Sequence, residues 1–222
     1  MVHSYSRTGS YNTSRGFSNQ DAVYDESYRG YSIITLADGV SECCFSAEGA
    51  ALACRAAADM LINEAERLMQ LPGEKLAYLV IEQVLYVIEK LCGTDDAAQY
   101  ASTLAFALVE KKSGEALLFN LGDGAVLRTA YDSMDTEIQP RTFRGSPAQT
   151  TSRGAFRAAE VRRIRLHRGE EVILGSDGFI SALEGSVGIA DAIESGDHQR
   201  ADMILETLDI FDDTSYIAYR HE

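Results

Sequence analysis

The sequence predicts an α+β fold, in which helices cover the faces of antiparallel sheets. Two observations predict this class. Two long segments with helical periodicity follow one another, at residues 45–69 and 74–91. Short apolar runs of strand length lie on either side of them, and one of these, residues 33–40, ends in Asp38-Gly39. Strands and helices thus occur in separate blocks, without the regular strand–helix alternation of a parallel sheet.

The N-terminal part begins with polar residues 1–18, within which an edge strand is expected. A second strand is expected to begin just after Asp21, residues 25–30 have the composition of a turn, and residues 31–37 form the next strand. Gly39 then permits a sharp turn and leaves its carbonyl uncovered. A carboxylate beside an open carbonyl suits Mg²⁺ or Mn²⁺, although Asp-Gly is also a common turn dipeptide.

The helical segments carry recognisable start and stop signals. Alanine-rich composition favours a continuous helix over residues 45–69. Ser46 is expected to cap its N-terminus, with Glu48 placing negative charge in the first turn. Residues 74–91 carry an apolar stripe at helical spacing, and Gly93 is a natural stop.

The second half of the chain returns to strand periodicity. Strands are expected at residues 101–110, 116–121, 125–129, 161–166, 171–175 and 214–219, and short helices at residues 179–183, 187–194 and 201–208. The first three of these strands are interpreted as a meander. Residues 131–154 are polar and irregular and predict a long, flap-like loop. No linker divides the chain, so residues 1–222 are expected to form one domain.

The charge of the chain argues against several classes of partner. The formal net charge is −14, from 20 basic and 34 acidic residues. A nucleic-acid partner is not expected, because phosphate backbones are bound by Lys and Arg surfaces. An anionic membrane is disfavoured for the same reason, and no apolar run is long enough to span a bilayer. A monomer is expected.

The cysteines and the N-terminus indicate a cytoplasmic protein. The chain has four cysteines, Cys43, Cys44, Cys54 and Cys92, and none forms a CxxC pair. Adjacent cysteines are a poor disulfide framework, so reduced thiols are expected. The polar N-terminus lacks the apolar region of a signal peptide. The four histidines stand in polar or terminal settings and are interpreted as surface residues.

Acidic residues recur at strand ends along the chain. These are Asp21, Asp38, Asp123, Asp177 and Asp212. If the strand ends converge, the carboxylates repel one another unless they bind cations or stay protonated. A pair of divalent ions roughly 3.5–4 Å apart is one recurring solution. Turn formation and helix capping are the alternative explanation, and spacing alone leaves both open.

The motifs around these acids resemble those of the metal-dependent protein serine/threonine phosphatases of type 2C, in particular the compact bacterial branch. They occur in the family's order along almost the whole chain: Asn19-Gln20-Asp21-Ala22, Ala37-Asp38-Gly39-Val40, Glu48-Gly49-Ala50, Ala101-Ser102-Thr103-Leu104, Asn120-Leu121-Gly122-Asp123-Gly124, Ser176-Asp177-Gly178 and Asp212-Asp213-Thr214-Ser215. The resemblance implies a four-layer αββα sandwich, with two antiparallel sheets packed face to face between pairs of antiparallel helices.

The resemblance also implies a centre of two Mn²⁺ or Mg²⁺ ions, with a weaker third. Asp38 would bridge both ions, with the Gly39 carbonyl as a further ligand. Asp177 and Asp212 would complete the first site, and Asp21 would be a ligand or orient a metal-bound water.

Asp123, together with Asp177, would match the third site. The expected catalytic residues are Asp21, Asp38, Asp177 and Asp212, because a bridging water activated by the two ions would attack phosphoserine or phosphothreonine without a covalent intermediate. The expected partner is a phosphoprotein in a bacterial signalling system.

Four departures from the family's pattern stand out. Gln20 replaces a common glutamate and removes a charge near the second metal. Arg15 lies one residue from the position of a phosphate-binding arginine and is carried over as the substrate-phosphate residue. Val40 stands where some relatives have a histidine proposed as general acid. Residues 131–154 are distinctive in sequence, so they do not identify a substrate.

Two alternative functions share this resemblance. One is a non-catalytic binding or regulatory module that keeps the fold but loses the metals. The other is a phosphatase of the sporulation or stress-response type, which acts on a small regulatory phosphoprotein by the same chemistry.

Overall fold

The computed structural model describes residues 1–93, 96–130, 133–143, 146–147, 149–152 and 154–222. The strands are β1 (Val2–Arg7), β2 (Asp21–Tyr28), β3 (Tyr31–Asp38), β4 (Leu104–Glu110), β5 (Glu115–Leu121), β6 (Ala125–Ala130), β7 (Ser133–Ile138), β8 (Thr142–Phe143), β9 (Ser146–Pro147), β10 (Glu160–Arg165), β11 (Glu171–Gly175) and β12 (Thr214–Arg220). The helices are α1 (Ser10–Ser14), α2 (Ser46–Asn63), α3 (Ala65–Leu68), α4 (Gly73–Cys92), α5 (Asp177–Gly185), α6 (Val187–Glu194) and α7 (His198–Thr207).

Ten of the strands form two antiparallel five-stranded sheets. One sheet has the order β10-β5-β4-β3-β2, and the other has the order β1-β12-β11-β6-β7. Within the described part of the chain, strands β8 and β9 pair with each other and with no further strand. The predicted edge strand near the N-terminus is confirmed as β1, which pairs along its length with β12.

Alternating side chains divide the apolar residues into three layers. In β4, Leu104, Phe106 and Leu108 face the helices, whereas Ala105 and Ala107 face the other sheet. Successive side chains of a strand point to opposite faces, so a strand that is apolar throughout is buried on both sides. The middle layer lies between the two sheets.

Helices cover the outer face of each sheet, and the predicted αββα sandwich is confirmed. Helices α2 and α4 pack on the first sheet and on each other. Helices α5, α6 and α7, each of eight to ten residues, cover the second sheet. Among the described residues, no helix combines the length and apolarity that a membrane span requires.

Several local predictions were wrong. Residues 25–28 continue strand β2, and the turn is confined to Arg29 and Gly30, both at positive φ. The long helix over residues 45–69 stops at Asn63, whose side-chain amide donates to the Asp59 carbonyl and so competes with the helix. Ser46 does not cap α2, since the cap position is Phe45.

The predicted meander is also divided. β4 and β5 form a hairpin, but β6 pairs with β11 and β7 in the other sheet. The turn around Asp123 therefore crosses from one sheet to the other. Within the predicted loop of residues 131–154, strand β7 pairs antiparallel with β6, while residues 131–132, 144–145, 148 and 153 lie outside the described residues.

Two of the four histidines are not surface residues. His221 is buried, and the His198 side chain is only 10% exposed because it packs against Glu171. A terminal or polar sequence setting does not report the burial that tertiary packing creates.

Candidate metal centre at one end of the sandwich

Two of the acids begin and end neighbouring strands. Asp21 opens β2 and Asp38 closes β3, and the two residues stand opposite each other in the antiparallel register. Residues opposite one another on neighbouring strands are the closest pair across a sheet. The register alone therefore brings two carboxylates to the same end of the sandwich.

Glycines follow Asp38 and Asp177 because other chain segments pass too close for a side chain. A Cβ atom on Gly39 would lie 2.7 Å from the Ser46 carbonyl oxygen, and one on Gly178 would lie 2.1 Å from the Asp213 carbonyl oxygen. Such separations are far inside van der Waals contact, so the absence of a side chain is required. Both Asp-Gly pairs are therefore tightly packed sites and not ordinary surface turns.

The Ser-Thr motif of the sequence holds Asp38 in place. The Thr103 hydroxyl accepts a hydrogen bond from the Asp38 amide at 2.9 Å, and the Thr103 amide donates to the Asp38 carbonyl at 2.8 Å. Both backbone groups of Asp38 are thus occupied by one residue. Its carboxylate is left to face the cavity at the strand ends.

Asp123 and Asp177 reach the same cavity from the other side. Asp123 lies in the crossing turn between the two sheets, where the Asn120 side-chain amide donates to the Gly124 carbonyl at 2.8 Å. Asp177 is the first residue of α5, directly after β11. An acid in the first turn of a helix is stabilised by the helix dipole.

These carboxylates line a cavity of about 260 Å³, called the acid cavity below. Its acidic residues are Asp38, Glu42, Asp123, Asp177 and Asp212. One oxygen from each of Asp38, Asp123 and Asp177 lies within 4.8 Å of the others. Asp212 lines the same cavity outside this trio, and Asp21 lies behind it, beside Asp38.

Burial raises the pKa of every one of the five predicted acids. Asp38 is the most crowded: burial raises its pKa well above the usual value, and the charges of Asp21 and Asp177 raise it further. Burial, followed by the nearby charge of Asp213, raises the pKa of Asp21 to about 7. Burial likewise raises the pKa of Asp123, Asp177 and Asp212.

The cavity acids are also short of hydrogen-bond donors. Among the described residues, neither carboxylate oxygen of Asp21 has a partner, nor does one buried oxygen of Asp123 or of Asp177. Buried polar atoms are rarely left unpaired, so such atoms call for an explanation. A divalent cation supplies one, because carboxylate oxygens are the ligands that Mg²⁺ and Mn²⁺ take. The donor set fits such ions.

The neighbouring Asp213 has the opposite environment. Its carboxylate is buried and accepts from the Gly9 amide at 2.8 Å, the Asn12 side chain at 2.9 Å and the Gln20 amide at 2.6 Å. These bonds tie the N-terminal segment to the start of β12. Of the two adjacent acids, Asp212 alone lines the cavity.

Gln20 and Arg15 lie beside the acid cavity and outside its lining. The Gln20 side-chain amide donates to the Ser46 hydroxyl at 2.6 Å, which explains why Ser46 is polar although it caps nothing. Arg15 follows α1, and its guanidinium lies 4.9 Å from the Tyr11 ring centroid and 5.4 Å from that of Phe17. Arg15 therefore belongs to an adjoining groove.

The sequence did not predict what three side chains of this region do. Thr103 and Gln149 line the acid cavity, and Asp213 organises the segment beside it. The adjacency of Asp212 and Asp213 was a signal, but only the packing shows that the two side chains have different roles.

A family model for protein phosphatase 2C matches residues 8–203 of the chain. No curated protein matches the sequence. Similar solved structures include RsbX in complex with magnesium, 14% identical with a TM-score of 0.65, covering 98% of this chain and 92% of that one.

Another is a bacterial serine phosphatase, 15% identical with a TM-score of 0.70; the match covers 100% of this chain and 97% of that one. A third comes from work on the bacterial stressosome, 17% identical with a TM-score of 0.63; the match covers 99% of this chain and 98% of that one. At such identities the structures show the shared fold, whereas the family match spans most of the sequence. The chain therefore belongs to the protein phosphatase 2C family.

Proposed function

We propose that this chain is a metal-dependent protein phosphatase that hydrolyses phosphoserine and phosphothreonine in proteins. The observation that carries the proposal is the convergence of Asp38, Asp123 and Asp177, with oxygens within 4.8 Å of one another, in a member of the phosphatase 2C family. Buried carboxylates that repel one another and lack donors are stabilised by divalent cations.

The proposed ligands divide by their position. Asp38 would be the shared ligand, since it stands opposite Asp21 in the sheet and lies close to Asp123 and Asp177. Gly39, through its carbonyl, and Asp212 both line the cavity and would complete the set. Asp123, which lies close to Asp38 and Asp177, would hold the third, weaker cation together with Asp177. Mn²⁺ and Mg²⁺ both suit these oxygens.

Cations held by these acids would supply a polarised water as the nucleophile and positive charge that offsets the charge on the phosphoryl oxygens. The chain's own residues support direct attack by water. The described lining of the acid cavity includes no cysteine, and burial raises the pKa of Cys43, which lines the adjoining groove. The carboxylates fix the geometry, and Thr103 fixes Asp38.

Arg15 is the proposed contact for the substrate phosphate. The guanidinium is stacked on two rings in the groove that shares Asp212 with the acid cavity. Arginine binds phosphate through a planar fork of donors, and stacking reduces the entropy lost when it does so. In a chain of net charge −14, a cation near the cavity favours the approach of an anionic substrate.

The test is phosphate release from a phosphothreonine peptide, measured with Mn²⁺, with Mg²⁺ and with a chelator. We expect activity only with a cation, and a loss of at least about 100-fold in Asp38→Asn and Asp177→Asn, the order expected when a metal centre is disturbed. Asp209→Asn, an exposed acid outside the cavity, is the matched control and keeps full activity.

Calorimetric titration with Mn²⁺ separates the alternatives. Absence of Mn²⁺ binding, together with no turnover of any phosphopeptide, would assign the chain to the non-catalytic binding modules. Full activity in either cavity variant would remove that residue from the centre.

A second candidate is a phosphatase that acts on a small regulatory phosphoprotein in a stress or sporulation pathway. The similarity to RsbX and to a structure from the bacterial stressosome favours it. The chemistry is the same, so only turnover of whole phosphoproteins, compared with short peptides, distinguishes it from the general assignment.

A further inference from the structure

Next to the acid cavity lies a larger groove of about 790 Å³, called the aromatic groove below. One wall of the groove is formed by Tyr11, Arg15, Phe17 and Phe211, and another wall is formed by the segment that leads into α2. Ser41, Glu42 and Asp212 line both the groove and the acid cavity, so the two are continuous. A group held in the cavity would have its attached chain in the groove.

The aromatic rings of the groove are exposed although the chain buries most of its large apolar side chains. Phe17 is 52% exposed and Phe211 is 68% exposed. Apolar side chains grouped at the surface beside a functional cavity are typical of a binding surface, because their exposure to water is unfavourable until they are covered.

The rings are held in place before any ligand binds. Tyr11 lies 5.1 Å from Phe211 between ring centroids, and its amide donates to the Phe211 carbonyl at 3.0 Å. Arg15 stacks on Tyr11 and Phe17. The bonds to Asp213 fix the backbone at Gly9 and Gln20, on either side of this segment. A preformed groove loses little conformational entropy on binding.

The charges of the groove restrict what it accepts. Arg15 is its only cation among the described lining residues, whereas Glu42, Glu48 and Asp212 are acidic. These acidic residues would repel an acidic polypeptide, because like charges brought together in an interface weaken binding. Neutral, apolar residues match the rings without meeting that repulsion.

We propose that the aromatic groove binds the residues of the phosphopolypeptide that flank the phosphorylated side chain, and that it selects a bulky apolar side chain there. This inference rests on the proposed phosphatase function. It assigns Phe17 and Phe211 as specificity-determining residues and makes the groove, more than the acid cavity, the part that discriminates between substrates.

The test uses two phosphothreonine peptides of equal charge, with leucine or alanine at the two positions on each side of the phosphoresidue. We expect the wild-type kcat/KM with Mn²⁺ to favour the leucine peptide by about tenfold, the discrimination typical of an apolar pocket. Phe17→Ala reduces the preference, and the double variant Phe17→Ala/Phe211→Ala abolishes it. Tyr86→Ala, an exposed tyrosine of α4 that lines neither the cavity nor the groove, keeps it.

Other outcomes overturn the inference. Equal kcat/KM for the two peptides in wild type, or a preference that survives the double variant, would show that the groove does not select. A dimer in sedimentation that dissociates in the double variant would assign the groove to a second copy of the chain.

If wild type hydrolyses neither peptide, the proposed function fails, and fluorescence anisotropy of the two labelled peptides decides on the groove separately. Tighter binding of the leucine peptide, lost in the double variant, would still support it. Thermal unfolding of each variant checks that the fold is kept.

Discussion

Buried acids occur at two places in this molecule, and their surroundings are opposite. Around the acid cavity, Asp21, Asp38 and Asp177 lie close together with raised pKa values. Among the described residues, both carboxylate oxygens of Asp21 and one of Asp177 lack a hydrogen-bond partner. At the start of β11, the Glu171 side chain is 3% exposed and is paired with His198 at 3.0 Å and with Arg220 at 2.6 Å.

The difference lies in the neighbours and not in the burial. Burial alone would raise the pKa of Glu171, but the hydrogen bond from His198 and the charge of Arg220 hold it below the usual value. The described residues that line the acid cavity include no cationic side chain, so burial and like charges there act in the same direction on the pKa values. Glu171 therefore stabilises the fold through its protein partners, whereas the acids of the cavity require a bound cation to do so.

The largest expected effect comes from removing Glu171, the acid that is paired with His198 and Arg220. Glu171→Ala should lower the free energy of unfolding by about 3 kcal/mol, because it leaves the largely buried His198 and the arginine without their partner. Urea unfolding measures the change. Glu184→Ala, an exposed acid of α5, should lie within about 0.5 kcal/mol of wild type. A Glu171→Ala variant as stable as wild type would show that the pair contributes nothing.

Cation binding at the acid cavity should stabilise the folded protein, and this effect should depend on the cavity acids and not on Glu171. Mn²⁺ at one hundred times its dissociation constant should raise the free energy of unfolding by about 2.7 kcal/mol, because it binds the folded state only. Thermal unfolding with Mn²⁺ and with a chelator measures the shift. Asp38→Asn should lose it, whereas Glu171→Gln should keep it, since Glu171 lies outside the cavity. An equal shift in Asp38→Asn would contradict the bridging role.

A smaller effect concerns the pH dependence without cations. The pKa of Asp21 is about 7 in the folded protein, against 3.8 ordinarily, so the folded state holds a proton that the unfolded state has lost. Stability should therefore fall as pH rises from 5 to 8, by about 2 kcal/mol. Glu171, with its lowered pKa, contributes stability that is lost only at pH values below that window.

Urea unfolding in chelator at pH 5, 6, 7 and 8 measures this slope. Asp21→Asn should flatten it and Asp209→Asn should not. The difference in slope between wild type and Asp21→Asn is the decisive quantity, because groups common to both proteins cancel in it. Identical slopes would assign the pH dependence to other groups.

Much of the fold could be predicted from local sequence. The apolar period of α4 and the strands that end at Asp38 and Gly175 were located correctly, because each pattern follows from the burial of one or two faces. The strand pairing was predicted wrongly where a short turn joins strands of two different sheets, as around Asp123. A turn sequence does not specify which strands pair with each other.

The sequence by itself determined which acids stand at strand ends, and the motif order pointed to the family. It did not determine their partners. Tertiary structure decided that Asp213 is occupied by three donors while Asp212 faces the cavity, that Asp123 joins Asp38 and Asp177, and that Arg15 stacks in the adjoining groove. The physical reason is that pKa, hydrogen bonding and cation affinity depend on neighbours distant in sequence, which only the packed sheets bring together.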